Sequence, residues 1–380
     1  MTLSLQKNTR PILWFHCASL GEYEQGLPII ERLQKNHPQY QILLTFFSPS
    51  GYEVIEKKEL NTLIFYLPLD TKSQASKFIN LVKPKIAFFI KYEFWYNYLS
   101  QLQENGIPCF LIAGVFREDQ WFFHFYGKWL FEKIKGFNLL FVQNEQSLFL
   151  LEKYNLKNVL VVGDTRIDRV TKIQATIQPI LPIEHFKRNN KLFIFGSTHV
   201  EDEDIIIPFI NSIIGQARAE TWCFLLVPHD VHSKNIERIK KKLDSPVIPY
   251  SNVPEQTFQS SIKIMILDVV GVLKKVYQYS DLTYIGGGFS DGIHNILEPA
   301  AFGNPILIGP NYQTFQEGKD LVERGGVFVL NNENSLLDYF QQFQNFDNRR
   351  QVSKINKAYL STHEGATNSI MAYLEDNDLL

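Results

Sequence analysis

The amino-acid sequence predicts an α/β protein in which one architecture is built twice: two βα domains, each a parallel sheet covered by helices on both faces, with a cleft between them. Two observations predict it. Short, nearly continuous apolar runs alternate with amphipathic stretches along most of the chain, as strands buried on both faces require. That rhythm breaks once, over residues 165–190, and then restarts.

In the first half the expected strands are 12–18 (ILWFHCA), 40–46 (YQILLTF), 62–68 (TLIFYLP), 86–90 (IAFFI), 108–114 (PCFLIAG), 139–144 (LLFVQN) and 158–163 (NVLVVG). Helical patterns such as EQGLPIIERLQKN and QSLFLLEKYN lie between them. Residues 165–190 carry two prolines and lose the alternation. The second series is 191–197 (KLFIFGS), 221–228 (TWCFLLVP), 245–250 (SPVIPY), 262–268 (IKIMILD), 282–287 (LTYIGG), 305–310 (PILIGP) and 326–330 (GVFVL). The expected organisation is a first domain over 1–165, a linker over 166–190 and a second domain over 191–380, with a final helix able to pack back on the first domain.

The 380-residue length suits two or three domains, each burying its own core. Hydrophobic content of 45% and charged content of 21% are ordinary for a soluble globular chain. The net charge of −2 gives no reason to expect nucleic acid. Thirty Phe and seventeen Tyr ask for a large core, an adhesive surface, or both. Cys17, Cys109 and Cys223 are too scattered for a disulfide framework or a zinc site, and sit in apolar runs. Buried free thiols in a reducing cytoplasm are the expectation. The polar start MTLSLQKNTR is no secretory signal. No run approaches the roughly 18–20 apolar residues that span a bilayer, so the chain should be soluble or lie on a membrane surface.

Open parallel sheets bind ligands beyond their C-terminal strand ends, which makes the strand-to-helix turns the candidate sites. In HCASLGEYEQG, Glu22 can serve as a general base on a hydroxyl. Equally, Ser19-x-x-Glu22 has the spacing of a capping box. In GGGFSDGIHNILEPAAFGNPILIG, Asn295-x-x-Glu298 repeats that spacing, Pro299 suits a first helical turn, and Gly303 suits its end. Capping leaves Gly286, Gly287, Gly288 and Gly292 unexplained. Glycines there would clear the approach of a phosphate-bearing ligand to a helix N-terminus, which offers roughly half a positive charge. Their spacing is neither a dinucleotide fingerprint nor a P-loop.

Ser197 and Thr198 in FIFGSTHVEDED offer hydroxyls to a phosphate, or else Thr198-x-x-Glu201 is another cap. In LLVPHDVH, His229, Asp230 and His232 lack a further ligand for a metal. No metal is expected. Glu93 in IKYEFWYNYL follows a buried strand among aromatics, facing solvent or placed in an apolar cleft where its pKa would rise. Residues 119–137, DQWFFHFYGKWLFEKIKGF, read either as a buried helix with solvated lysines or as a segment for the lipid headgroup level.

Taken in order, HCASLGE, KYEFWYN, GDTRID, GSTH and GGGFSDGIHNILEPAAFGNPILIGP resemble the 3-deoxy-D-manno-octulosonic-acid (Kdo) transferases of lipopolysaccharide synthesis, over residues 10–360. The resemblance implies the GT-B glycosyltransferase fold, two Rossmann-like domains across a cleft. It implies CMP-Kdo as donor, a lipid A precursor as acceptor, inversion at the anomeric carbon, no metal or other cofactor, and work at the cytoplasmic face of the inner membrane. It places Glu22 at the general base and Glu93 at a second essential acid. Arg166, Ser197, Thr198, His229, Gly271, Gly287, His294, Asn295 and Glu298 fall to the donor, Glu298 on the ribose hydroxyls. Trp121, Phe125 and Lys128 become candidates for membrane or acceptor contact.

Departures from the family pattern are His229-Asp230, where relatives carry Arg-His, Gly271-Val272-Leu273 for Gly-Glu-Leu, and Lys91 for an acid. The family's usual N-terminal hydrophobic anchor is not seen here, so that either this form lacks it or the chain was trimmed, and residues 119–137 become the main expected membrane contact. Oligomeric state and the number of Kdo units are not legible. Two other readings stand beside the transferase: a nucleotide-sugar 2-epimerase of the same architecture, and a non-catalytic sugar-nucleotide-binding protein in which Glu22 and Glu298 only cap helices.

Overall fold

Every apolar run marked in the sequence becomes a strand. The computed structural model describes residues 9–56, 62–176, 178–253 and 262–380, so most of the polar start lies outside the described residues. The chain divides into two compact units, Met1–Arg169 with His363–Leu380, and Val170–Thr362. The first holds β1 (Ile12–Cys17), β2 (Gln41–Phe46), β3 (Leu63–Tyr66), β4 (Ile86–Ile90), β5 (Cys109–Gly114), β6 (Leu139–Val142) and β7 (Val159–Val161). The second holds β8 (Lys191–Thr198), β9 (Trp222–Pro228), β10 (Val247–Pro249), β11 (Ile264–Ile266), β12 (Leu282–Ile285), β13 (Ile306–Ile308) and β14 (Val327–Val329). Their orders are 3-2-1-4-5-6-7 and 10-11-9-8-12-13-14, and the pairing is parallel throughout.

Each sheet needs two cores because helices cover both faces. Along β1, Trp14 enters one core with Phe78 and Phe89, while Leu13 and Phe15 enter the other with Phe88. Alternation of side chains across a strand makes this split, and it accounts for much of the phenylalanine content. The three cysteines are free and buried, as expected. Helix Ala366–Asp376 belongs to the first unit, its Ile370, Met371 and Leu374 packing in the core of Phe15 and Phe88. The Asp168 carboxylate fixes its start by accepting from the amides of Gly365 and Thr367, both at 2.6 Å.

The segment expected as a linker over 166–190 is largely helical, with helices Thr165–Thr176 and Leu181–Lys187. Its prolines misled the reading: Pro182 sits in the first turn of the second helix, where a missing N–H costs nothing. The unit boundary falls inside the first of these helices, after Arg169.

Candidate active site

In the first unit the C-terminal ends of β1 and β4 bring two carboxylates into electrostatic contact. Ser19 caps the helix Leu20–Asn36, and Glu22 closes a capping box by accepting from the Ser19 amide at 2.9 Å. The capping expectation therefore holds, and it does not displace the chemical one. Burial, then the charge of Glu93, push the Glu22 carboxyl up to about 7, against the pull of the Ser19 and Ala18 amides and of Lys91. A carboxyl poised there exchanges protons near neutral pH. Cys17, buried beside the pair, has its thiol pushed well up by burial and both glutamates.

Glu93 follows β4 through Lys91, a left-handed residue with φ 67°. Its side chain is 12% exposed. One oxygen, Oε2, accepts from Trp95 Nε1 at 2.6 Å and lies 3.2 Å from His16 Nε2. His16 is fully buried, and the sequence reading passed it over. Its signal was there: a histidine in the middle of an otherwise apolar strand, at the last position but one.

Arg166, in the same unit, turns its guanidinium back on Asp164, with Nε at 2.9 Å and an Nη at 2.5 Å from Oδ2. The aromatic segment divides by exposure. Phe122, Phe123, Leu130 and Phe131 are buried, while Trp121, Phe125, Tyr126 and Trp129 are 44–83% exposed, with Lys128 exposed among them.

In the second unit Asp202 organises the turns after β8 and β12. It is fully buried, accepting from the His199 amide and the Gly287 amide, both at 2.8 Å, and from the Tyr284 hydroxyl at 2.5 Å. The cap of helix Val200–Ile213 is thus His199 with Asp202, not the Thr198-x-x-Glu201 expected from spacing. Thr198 is 1% exposed and donates to Glu203, supporting the turn from beneath. Ser197 is half-buried in a left-handed conformation, φ 54°.

One expectation about the glycine-rich turn is corrected, and its glycines gain a packing reason. The glycines let backbones meet: a Cβ at Gly286 would stand 2.3 Å from the Ser197 carbonyl, and one at Gly288 2.6 Å from Gly309. The helix expected from Asn295 begins at Leu297 and runs six residues, with Asn295 Oδ1 accepting from the Leu297 amide. The N-cap is Ile296, so the helix starts one residue later than the Asn295–Glu298 spacing expects. Gly303 ends the helix in the left-handed conformation as read. Glu298 lines a small cavity with Lys274, Val170, Ile173 and Phe302. Gly271 is exposed, with φ 87°.

What the fold adds is a histidine cluster. His199, His229 and His294 each offer a ring nitrogen within 4.8 Å of the others, the one such group among the described residues suited to a metal ion. His232, weighed from sequence, is 90% exposed and outside it. Nε2 of His199 and Nε2 of His294 lie 2.8 Å apart, one donating to the other. Burial and the two other imidazoles lower His294 to about 4, and burial and His199 lower His229. At neutral pH His294 is therefore neutral, and His229 is pushed toward its neutral form.

Residues 1–169 match the family model described as 3-deoxy-D-manno-octulosonic-acid transferase (kdotransferase). The 3-deoxy-D-manno-octulosonic acid transferase of Rickettsia bellii is 24% identical, over 97% of this chain and 88% of the relative. A solved UDP-N-acetylglucosamine 2-epimerase superposes with TM-score 0.66 at 14% identity, covering 98% of each chain. A glycosyltransferase from Rickettsia africae does so with TM-score 0.60 at 12% identity, over 97% of this chain and 99% of that one. The solved structures share the fold: two parallel sheets in the GT-B manner. The likeness in activity comes from the sequence matches, both to transferases of 3-deoxy-D-manno-octulosonic acid. In sequence the chain is similar to the Kdo transferases, over residues 1–169 by the family model and over nearly its whole length by the Rickettsia bellii relative.

Proposed function

We propose that the protein transfers Kdo from CMP-Kdo to a lipid A precursor at the cytoplasmic face of the inner membrane, with inversion and without a metal. The observation that supports this best is Glu22, a half-buried carboxyl held near pH 7 beside Glu93 at a sheet's C-terminal edge. In the proposed step Glu22 takes the proton of an acceptor hydroxyl as that oxygen bonds to the anomeric carbon of Kdo. The bond from that carbon to the phosphate oxygen breaks, and its electron pair leaves with CMP.

The departing phosphate needs donors or positive charge. Asp202 already occupies the amides of His199 and Gly287, so we assign the phosphate to the imidazoles of His199, His229 and His294 beside the first turn of helix Val200–Ile213. We assign Ser197, Gly287 and Asn295 to the same donor corner. Glu298, set among Lys274 and Phe302, is the proposed partner of the ribose hydroxyls. The exposed aromatics around Lys128 are the proposed lipid contact.

The solved 2-epimerase keeps a second reading open on fold grounds alone. Turnover of CMP-Kdo with and without a lipid A precursor separates the two. Product that appears only with lipid, carrying Kdo on the lipid, supports transfer. Release of free or epimerised sugar at the same rate without lipid overturns it.

A further inference from the structure

Behind Glu93 runs a line of buried groups that neither capping nor donor binding explains. Trp14 Nε1 donates to the Thr45 hydroxyl at 2.8 Å. That hydroxyl's own hydrogen has two acceptors in reach, His16 Nδ1 at 2.9 Å and the Phe15 carbonyl at 3.4 Å. The nearer is the ring nitrogen. With Nδ1 accepting, the ring proton sits on Nε2 and points at Glu93 Oε2, 3.2 Å away. The other tautomer would donate from Nδ1 to the Thr45 carbonyl at 3.1 Å, and would set a lone pair on Nε2 against a carboxylate oxygen. Of the two neutral tautomers only the first satisfies every group, His16 and Thr45 both being fully buried.

We infer that His16 is a positioning residue: its Nε2–H, in the tautomer selected by the Thr45 hydroxyl, pins the Glu93 carboxylate beside Glu22. Trp95 secures the same oxygen from the other side. The inference rests on the reading of Glu22 as the base, and it names the device that keeps a negative charge at Glu22's flank. The other charged or titratable groups acting on this pair are Lys91 and the Cys17 thiol. Lys91 pulls Glu22 down, so the upward push comes from burial and from Glu93.

The test reads Glu22 directly, in the full chain without substrate. Carboxyl-13C glutamate is incorporated, the Glu22 resonance is assigned with Glu22→Gln, and its midpoint is followed by pH titration. His16→Phe removes the donor and should let the Glu22 midpoint fall from about 7 toward the ordinary carboxylate range. His16→Gln, whose amide still donates, should restore it. Thr45→Val is close to isosteric and frees the ring to flip its proton to Nδ1, so it should shift the midpoint the same way. It decides the matter if His16→Phe does not fold. A midpoint unchanged in folded His16→Phe and Thr45→Val overturns the inference. A rise would too, since it would mean that His16 had supplied positive charge. Because the titration needs no turnover, the role of His16 and the transferase reading fail separately. A midpoint that moves while Glu22→Gln still transfers Kdo would sink the reading of Glu22 as the base and leave the positioning intact.

Discussion

The Ser19 amide donates to Glu22 Oε2 at 2.9 Å, so the carboxyl proposed as the base is also the closing member of a helix cap. The two roles separate experimentally because they ask different things of the side chain. Glutamine accepts the amide hydrogen as glutamate does, but takes no proton. Glu22→Gln should therefore melt like wild type at a pH below about 4.5, where both side chains are uncharged, while Kdo transfer at neutral pH falls by about 10²-fold or more. Full activity with an unchanged melt would leave Glu22 a cap alone and turn the search for the base to Glu93.

The rate should also report the pair's electrostatics. If Glu22 must be ionised, kcat/KM rises with pH through about 7, the value set by burial and Glu93. Glu93→Gln removes the neighbouring charge and should carry that limb to lower pH. Lys91→Met removes a cation that lowers Glu22 and should carry it higher. The sign for stability follows from the same shift. A carboxyl whose folded value is raised contributes most below its unfolded value of 4.5, and that contribution is lost as pH climbs to about 7. Glu22→Gln should flatten this part of the stability–pH curve.

Donor binding should draw protons from solution. His294, lowered to about 4 by burial and by the other two imidazoles, gains affinity for a proton when a phosphate enters. Calorimetry of CMP binding near pH 6 in buffers of different ionisation enthalpy would show net proton uptake, reduced in His294→Asn. Transfer should persist in excess EDTA. Activity lost to EDTA and restored by an added divalent ion would give the His199–His229–His294 cluster a metal and end the metal-free proposal.

Gly287 carries φ 89°, and a Cβ there would stand 2.3 Å from the Gly292 carbonyl. Both strain and overlap oppose any side chain. Gly287→Ala should cost about 1–3 kcal/mol of stability, read by denaturant unfolding. An unchanged midpoint would show that the turn relaxes freely.

The aromatic segment divides by exposure, and its variants should divide likewise. Charging Trp121 and Phe125, 44% and 83% exposed, should abolish binding to anionic vesicles and leave the melt unchanged. Phe122→Ala, at a side chain 4% exposed, should instead cost about 3–5 kcal/mol. Vesicle binding that survives the charged pair would remove this face from the lipid reading.

What the sequence determined by itself was local. Apolar runs of strand length, bounded by turn residues, located every strand of both sheets, because a parallel strand covered on both faces has to be apolar at nearly every position. The Ser19–Glu22 cap was legible from a spacing of three, since the partners lie one helical turn apart. Tertiary structure decided whatever joins residues far apart in sequence. Asp202 reached Gly287 across 85 positions while capping its own helix with His199 in place of the expected Thr198–Glu201 pair. His199, His229 and His294 come from three separate turns, which no single motif could announce. Glu22 was readable as a carboxyl at a turn, but its poise near 7 arises from burial and from Glu93, and Glu93 in turn meets His16 across 77 positions. Periodicity records which face of an element is apolar. Burial and long-range partners set the proton affinities, and these exist only once the sheets have formed.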